Sequence, residues 1–126
     1  MKLARSLLLL LVLVGGGLFV GVSPAAADRV EQHCTTKNQY RICISYNYST
    51  STVAANVQNQ ASKSRNTFIG LSRGNYQPWM KKETRVLSPG QWRGIYVGPI
   101  AQSHFCASAD LASQTVVRYN ICHQFT

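Results

Sequence analysis

An all-β fold, two antiparallel sheets packed as an immunoglobulin-like sandwich of about seven short strands, follows from three features of the chain. Downstream of residue 27, Val, Ile, Thr, Tyr, Phe and Trp together number 32, whereas Leu, Glu and Met number 6. Branched and aromatic side chains suit a pleated, half-buried surface, and the best helix formers are scarce. Apolar residues recur with period two: Tyr40, Ile42, Ile44, Tyr46 and Tyr48 alternate with Arg41, Cys43, Ser45 and Asn47. Turn-forming clusters interrupt such runs every 8–12 residues or so, the spacing of a sandwich. A small closed β-barrel is the alternative, because spacing does not separate the two.

The elements follow in order. Residues 1–27 read as an export signal: Lys2 and Arg5, an apolar run from Leu7, the Ser23-Pro24 break, then Ala25-Ala26-Ala27 before Asp28. Residues 28–126 then form a single secreted domain, with no later stretch approaching the ~18 apolar residues of a spanning helix. Strands are expected at 40–48, 53–58, 67–72, 84–88, 92–97, 104–109 and 115–122. Ser49–Thr52, Ser62–Asn66, Gly74–Pro78, Ser88-Pro89-Gly90 and Gly98-Pro99 supply the breaks. Asp28 and Glu31 fall in a loose N-terminal stretch.

Four cysteines allow three pairings. Cys34 and Cys43 are symmetric about a turn at Asn38-Gln39, and Cys106 and Cys122 about Gln114, in the polar turn Asp110–Gln114. Opposed residues on antiparallel strands lie close enough for a cross-strand bridge, so Cys34–Cys43 and Cys106–Cys122 are expected. Zinc-type Cys-x2-Cys or His-x3-His spacing is absent and the expected compartment is oxidising, so neither a metal nor a cofactor is expected.

Catalytic kits are sparse. After residue 27 the chain carries 11 cations and 4 acids, a net charge of +7. With Asp28 and Glu31 loose, only Glu83 and Asp110 remain as a carboxylate pair for glycoside hydrolysis. No Gly-x-Ser-x-Gly occurs. His104 and His123, with Arg118, form the one minimal acid–base kit, of the sort a small nuclease or toxin uses. The stronger signal is basic and aromatic. Lys63, Arg65, Arg73, Lys81, Lys82, Arg85 and Arg93 share 31 residues with one acid, Glu83, and Tyr76, Trp79 and Trp92 are interleaved. Cations attract polyanions, and flat rings stack on sugars or bases. Met80-Lys81-Lys82 after Pro78-Trp79 reads as an exposed loop tip. Trp92, sharing parity with Gly94 and Tyr96, is either a binding ring or core.

The expected function is therefore non-enzymatic: a secreted, monomeric module attaching to an extracellular polyanion or glycan such as a cell wall. A secreted hydrolase inhibited through the Lys81-Lys82 loop is the second partner class, and the nuclease or toxin the third. The export signal and two-bridge build resemble small secreted proteins of actinobacteria. Trp92-Arg93 is similar to part of the Trp-Arg-Tyr triplet of tendamistat-type α-amylase inhibitors. Here Gly94 follows the pair, which lies beyond both Cys34 and Cys43, so that resemblance carries no function across.

Overall fold

A computed structural model describes residues 29–74 and 78–126; the stretch read as an export signal, Asp28 and Tyr76 lie outside the described residues. Eight strands run in chain order: β1 (Val30–Lys37), β2 (Tyr40–Asn47), β3 (Thr52–Asn59), β4 (Arg65–Arg73), β5 (Trp79–Leu87), β6 (Trp92–Val97), β7 (His104–Leu111) and β8 (Tyr119–Gln124). They form two four-stranded antiparallel sheets ordered β1-β2-β3-β6 and β5-β4-β7-β8. This is the expected sandwich, and not the barrel. Each sheet keeps two edges, and where the sheets meet at their sides the joins are made by side chains.

Local chemistry sets the elements. Asn38 and Gln39 both take positive φ (48° and 59°), which gives the two-residue turn that matches strand twist. The turn fixes the β1–β2 register so that Cys34 opposes Cys43. In the other sheet Cys106 opposes Cys122. Both expected disulfides are present, Cys34–Cys43 and Cys106–Cys122. On β3 burial alternates strictly along its eight residues, with Val53, Ala55 and Val57 inward.

The core fills the space between the sheets with Tyr40, Ile42, Ile44 and Tyr46 from β2, Ile69 and Leu71 from β4, and Phe105, Ala107 and Ala109 from β7. Two buried polar contacts hold its lower end. Tyr40 Oη lies 2.7 Å from Thr67 Oγ1, across the two sheets. Asn59, fully buried, satisfies both ends of its amide: it donates to the carbonyls of Lys63 and Leu87, and it accepts from Ala61 N and Arg65 Nε.

Three expectations are corrected. Glu31 is not in a loose terminus; it sits in β1, paired with Tyr46 of β2. The inward residues of β1 there are Glu31, His33 and Thr35, so this strand carries no apolar alternation by which to recognise it. Met80-Lys81-Lys82 is not a loop tip. These residues belong to β5, which starts five residues before the expected strand and pairs with β4 through an irregularity at Leu71/Ser72. Asp110 is not in a turn either. It ends the buried run of β7 at 2% exposure, its carboxylate accepting from Leu111 N and Arg118 N.

Candidate functional site

The two sides of the sandwich, where edge strands of opposite sheets face each other without pairing, gather the residues of chemical interest. On one side β5 faces β6; on the other β1 faces β8.

At the β5–β6 side, strand parity brings Lys81, Glu83 and Arg85 inward from β5, and Arg93 inward from β6. Glu83 joins the sheets through a two-pronged ion pair: Arg93 Nε and Nη2 donate to its two oxygens, each at 2.8 Å, and Arg85 Nε lies 3.4 Å away. Fork geometry of this kind adds direction to the charge attraction. The Arg93 hydrogen bonds hold the Glu83 carboxyl below the usual carboxylate range, and Glu83 in turn raises Arg93. Above the pair runs an open groove lined by Lys81, Lys82, Glu83, Arg93, Gly94, Ile95 and Tyr96. Lys81 Nζ stands 5.2 Å from the Tyr96 ring centre. Neither Lys81 nor Lys82 is in an ion pair with another described residue.

Around the corner, the outer face of the β1-β2-β3-β6 sheet presents Trp92 and Tyr96, 47% and 64% exposed. Gly94 lies between them, opposite Asn56. A methyl group at Gly94 would come within 2.4 Å of Asn56 Oδ1, so the saddle between the two rings stays low. Arg41, Gln58 and Trp92 occupy one row of paired positions across this face. The shared parity of Trp92, Gly94 and Tyr96 thus belongs to the solvent face, with Ile95 taking the core.

The other expected contact residues scatter. Arg65 is structural: its guanidinium donates to the carbonyls of Asn38 and Gln39 and to Asn59 Oδ1, and it stacks 3.7 Å over Tyr40. Trp79 lies against the outer face of its own sheet, edge-on to Phe68 and over Gly70, where an added methyl would come within 2.5 Å of the indole. Lys63 is exposed in the β3–β4 turn, and Arg73 at the far end of β4. Of the ten expected contact residues, Lys81, Lys82, Arg85 and Arg93 gather around Glu83 and the groove, Trp92 stands on the outer sheet face, Tyr76 is outside the described residues, and the rest lie apart.

At the β1–β8 side the histidines are brought together in an unexpected pair. His104 opposes Gln124 and His123 opposes Phe105, so His104 and His123 point to opposite faces of their sheet. His104 packs against Gly74. His123 instead stacks on His33, ring centres 3.6 Å apart and planes within 20°. Glu31 Oε2 is hydrogen-bonded to His33 Nε2 at 2.6 Å and lies 2.9 Å from His123 Nε2. Tyr48 donates its hydroxyl to Glu31 Oε1 at 2.9 Å. The hydrogen bond from His33, with that from Tyr48, holds the Glu31 carboxyl below its usual range. Desolvation, with the bond to Glu31, pushes the Tyr48 phenol up. Among the described residues this is the one group of three His, Cys, Asp or Glu side chains with ligand atoms within 4.8 Å of one another.

Every described carboxylate is thereby committed: Glu31 and Glu83 each clasp one side of the sandwich, and Asp110 anchors the chain before β8. The pairing of Glu31 with His33 and His123 carried no local sequence signal, since 90 residues separate the two histidines. Comparison with known proteins finds no matching family model, curated protein or solved structure.

Proposed function

We propose that the protein is a secreted, non-enzymatic module that attaches to an extracellular anionic glycan surface such as a bacterial cell wall. One observation carries the reading: the groove along β5 and β6 brings Lys81, Lys82, Arg93 and Tyr96 together, and Tyr96 shares the outer face of its sheet with the exposed ring of Trp92. Exposed lysines supply attraction for phosphate or carboxylate groups, and two rings on a flat sheet supply stacking for sugars. A net charge of +7 over residues 28–126 favours the same partners. The two disulfides are compatible with an oxidising, extracellular setting. Binding without catalysis is further favoured by the structural employment of Glu31, Glu83 and Asp110, which leaves no described carboxylate pair for hydrolysis. The inhibitor reading rested on a Lys81-Lys82 loop, and those residues are strand.

The test is co-sedimentation of the oxidised protein, residues 28–126, with purified Gram-positive cell walls at low and high salt, with wall polyanions intact or stripped. Pelleting at low salt that is lost on stripping, and in a Lys81→Ala/Lys82→Ala variant, supports attachment through the groove. Pelleting that survives stripping and disappears in Trp92→Ala moves the contact to the sheet face and its glycan. Absence of pelleting under every condition overturns the proposal, and assays of hydrolase inhibition follow.

A further inference from the structure

We propose that Glu31, His33 and His123 form a binding site for one divalent transition-metal ion of the zinc type. The three donors come from the facing edge strands of opposite sheets, β1 and β8, and their ligand atoms lie within 4.8 Å of one another at the side of the sandwich. Both Nε2 atoms lie close to the same carboxylate oxygen, 2.6 and 2.9 Å away. Around a tetrahedral ion with metal–ligand bonds of about 2.0–2.1 Å, donor atoms stand roughly 3.3 Å apart. Seating the ion takes a withdrawal of the Glu31 oxygen by about half an ångström and a splaying of the two stacked rings, so that both in-plane lone pairs meet it; all three side chains are about a third exposed, which leaves room for that adjustment.

The chemistry of the donor set selects the ion. Two imidazoles and one carboxylate suit Zn2+, Cu2+, Ni2+ or Co2+, while Mg2+ and Ca2+ prefer all-oxygen shells. Two imidazole rings, stacked on each other, share this one carboxylate oxygen. A dication uses both imidazole lone pairs and the carboxylate at once. The surroundings are also those of a metal site. Tyr48 steadies the second oxygen of Glu31, the outer contact that orients a ligating carboxylate. Phe125, fully buried, backs both rings, with centres 4.8 Å from His123 and 6.1 Å from His33. The ring side chains are 38% and 33% exposed, so an ion has a path in and a remaining coordination position open to water or to a further ligand. Bound there, it ties the edge of one sheet to the edge of the other.

The experiment uses the oxidised protein stripped of metal, titrated with Zn2+ by calorimetry and followed by thermal unfolding. One Zn2+ per chain is expected, with a Tm raised by roughly 10 °C or more at about a hundredfold excess over Kd. His33→Ala, His123→Ala and Glu31→Gln should each weaken Zn2+ at least about tenfold, while His104→Ala changes nothing. Circular dichroism establishes that each variant is folded; if His33→Ala is not, His123→Gln on the opposite strand makes the same comparison. Tyr48→Phe, which keeps all three donors, should weaken binding by a smaller factor. The inference is overturned if wild type binds Zn2+ no more tightly than a His33→Ala/His123→Ala variant, or if stoichiometric binding follows His104 instead.

Discussion

Arg65 shows how a cation in a basic stretch can be spent on the fold. Its three nitrogens reach two turn carbonyls and a buried amide while its plane covers Tyr40, an arrangement that a lysine ammonium does not reproduce. Arg65→Lys is expected to cost about 1–2 kcal/mol in urea unfolding and to leave cell-wall pelleting unchanged, the reverse of the expected effect of Lys81→Ala/Lys82→Ala. Loss of pelleting in a stable Arg65→Lys protein would return this residue to the contact surface. Gly70 carries a second expectation. It needs no unusual backbone angle; it is small because Trp79 and Phe68 lie 2.5 to 2.9 Å from where its Cβ would stand. Gly70→Ala should destabilise by about 1–3 kcal/mol, the ordinary result of overpacking, and should alter the near-ultraviolet dichroism of Trp79.

The edge strands carry the charged clasps, and their pH dependence follows from the direction of the shifts. Glu83 is held below the carboxylate value it would have unfolded, 4.5. Its contribution is thus fully present above that value and is lost as pH falls through the lower, folded-state one. Glu31 behaves the same way on the β1–β8 side. Stability should therefore decline below about pH 4.5, and Glu83→Gln should make that acid decline shallower. An unchanged slope in denaturant midpoints between pH 5 and pH 2 would show that the clasp between β5 and β6 adds nothing. Polar alternation on β1 and cation-rich β5 also protect these edges, since charged side chains discourage pairing with a second molecule.

For the domain as a whole, a core built from eight short strands relies on covalent help, as small exported domains do. Cys106–Cys122 spans 16 residues of chain and Cys34–Cys43 spans 9. Removing the larger loop's bridge with a Cys106→Ala/Cys122→Ala pair is expected to cost about 3 kcal/mol, slightly more than removing the other, in the chain-entropy model. Equal midpoints for wild type and the pair variant in guanidinium would contradict that cost. What was legible in the chain follows from short-range physics. The strand class came from period-two alternation along 40–48, and both disulfides from their symmetry about turns that could be recognised locally, because hairpin register is decided within a few residues. β1 and the start of β5 escaped notice since their inward positions hold Glu31, His33, Lys81 and Glu83, which read as surface until a facing strand is supplied. The same reason hid the clasps and the metal-type cluster. Which histidine meets His123, and whether the Trp92 parity faces solvent or core, depends on how one sheet lies over the other, a packing of residues up to 90 positions apart that no local pattern encodes.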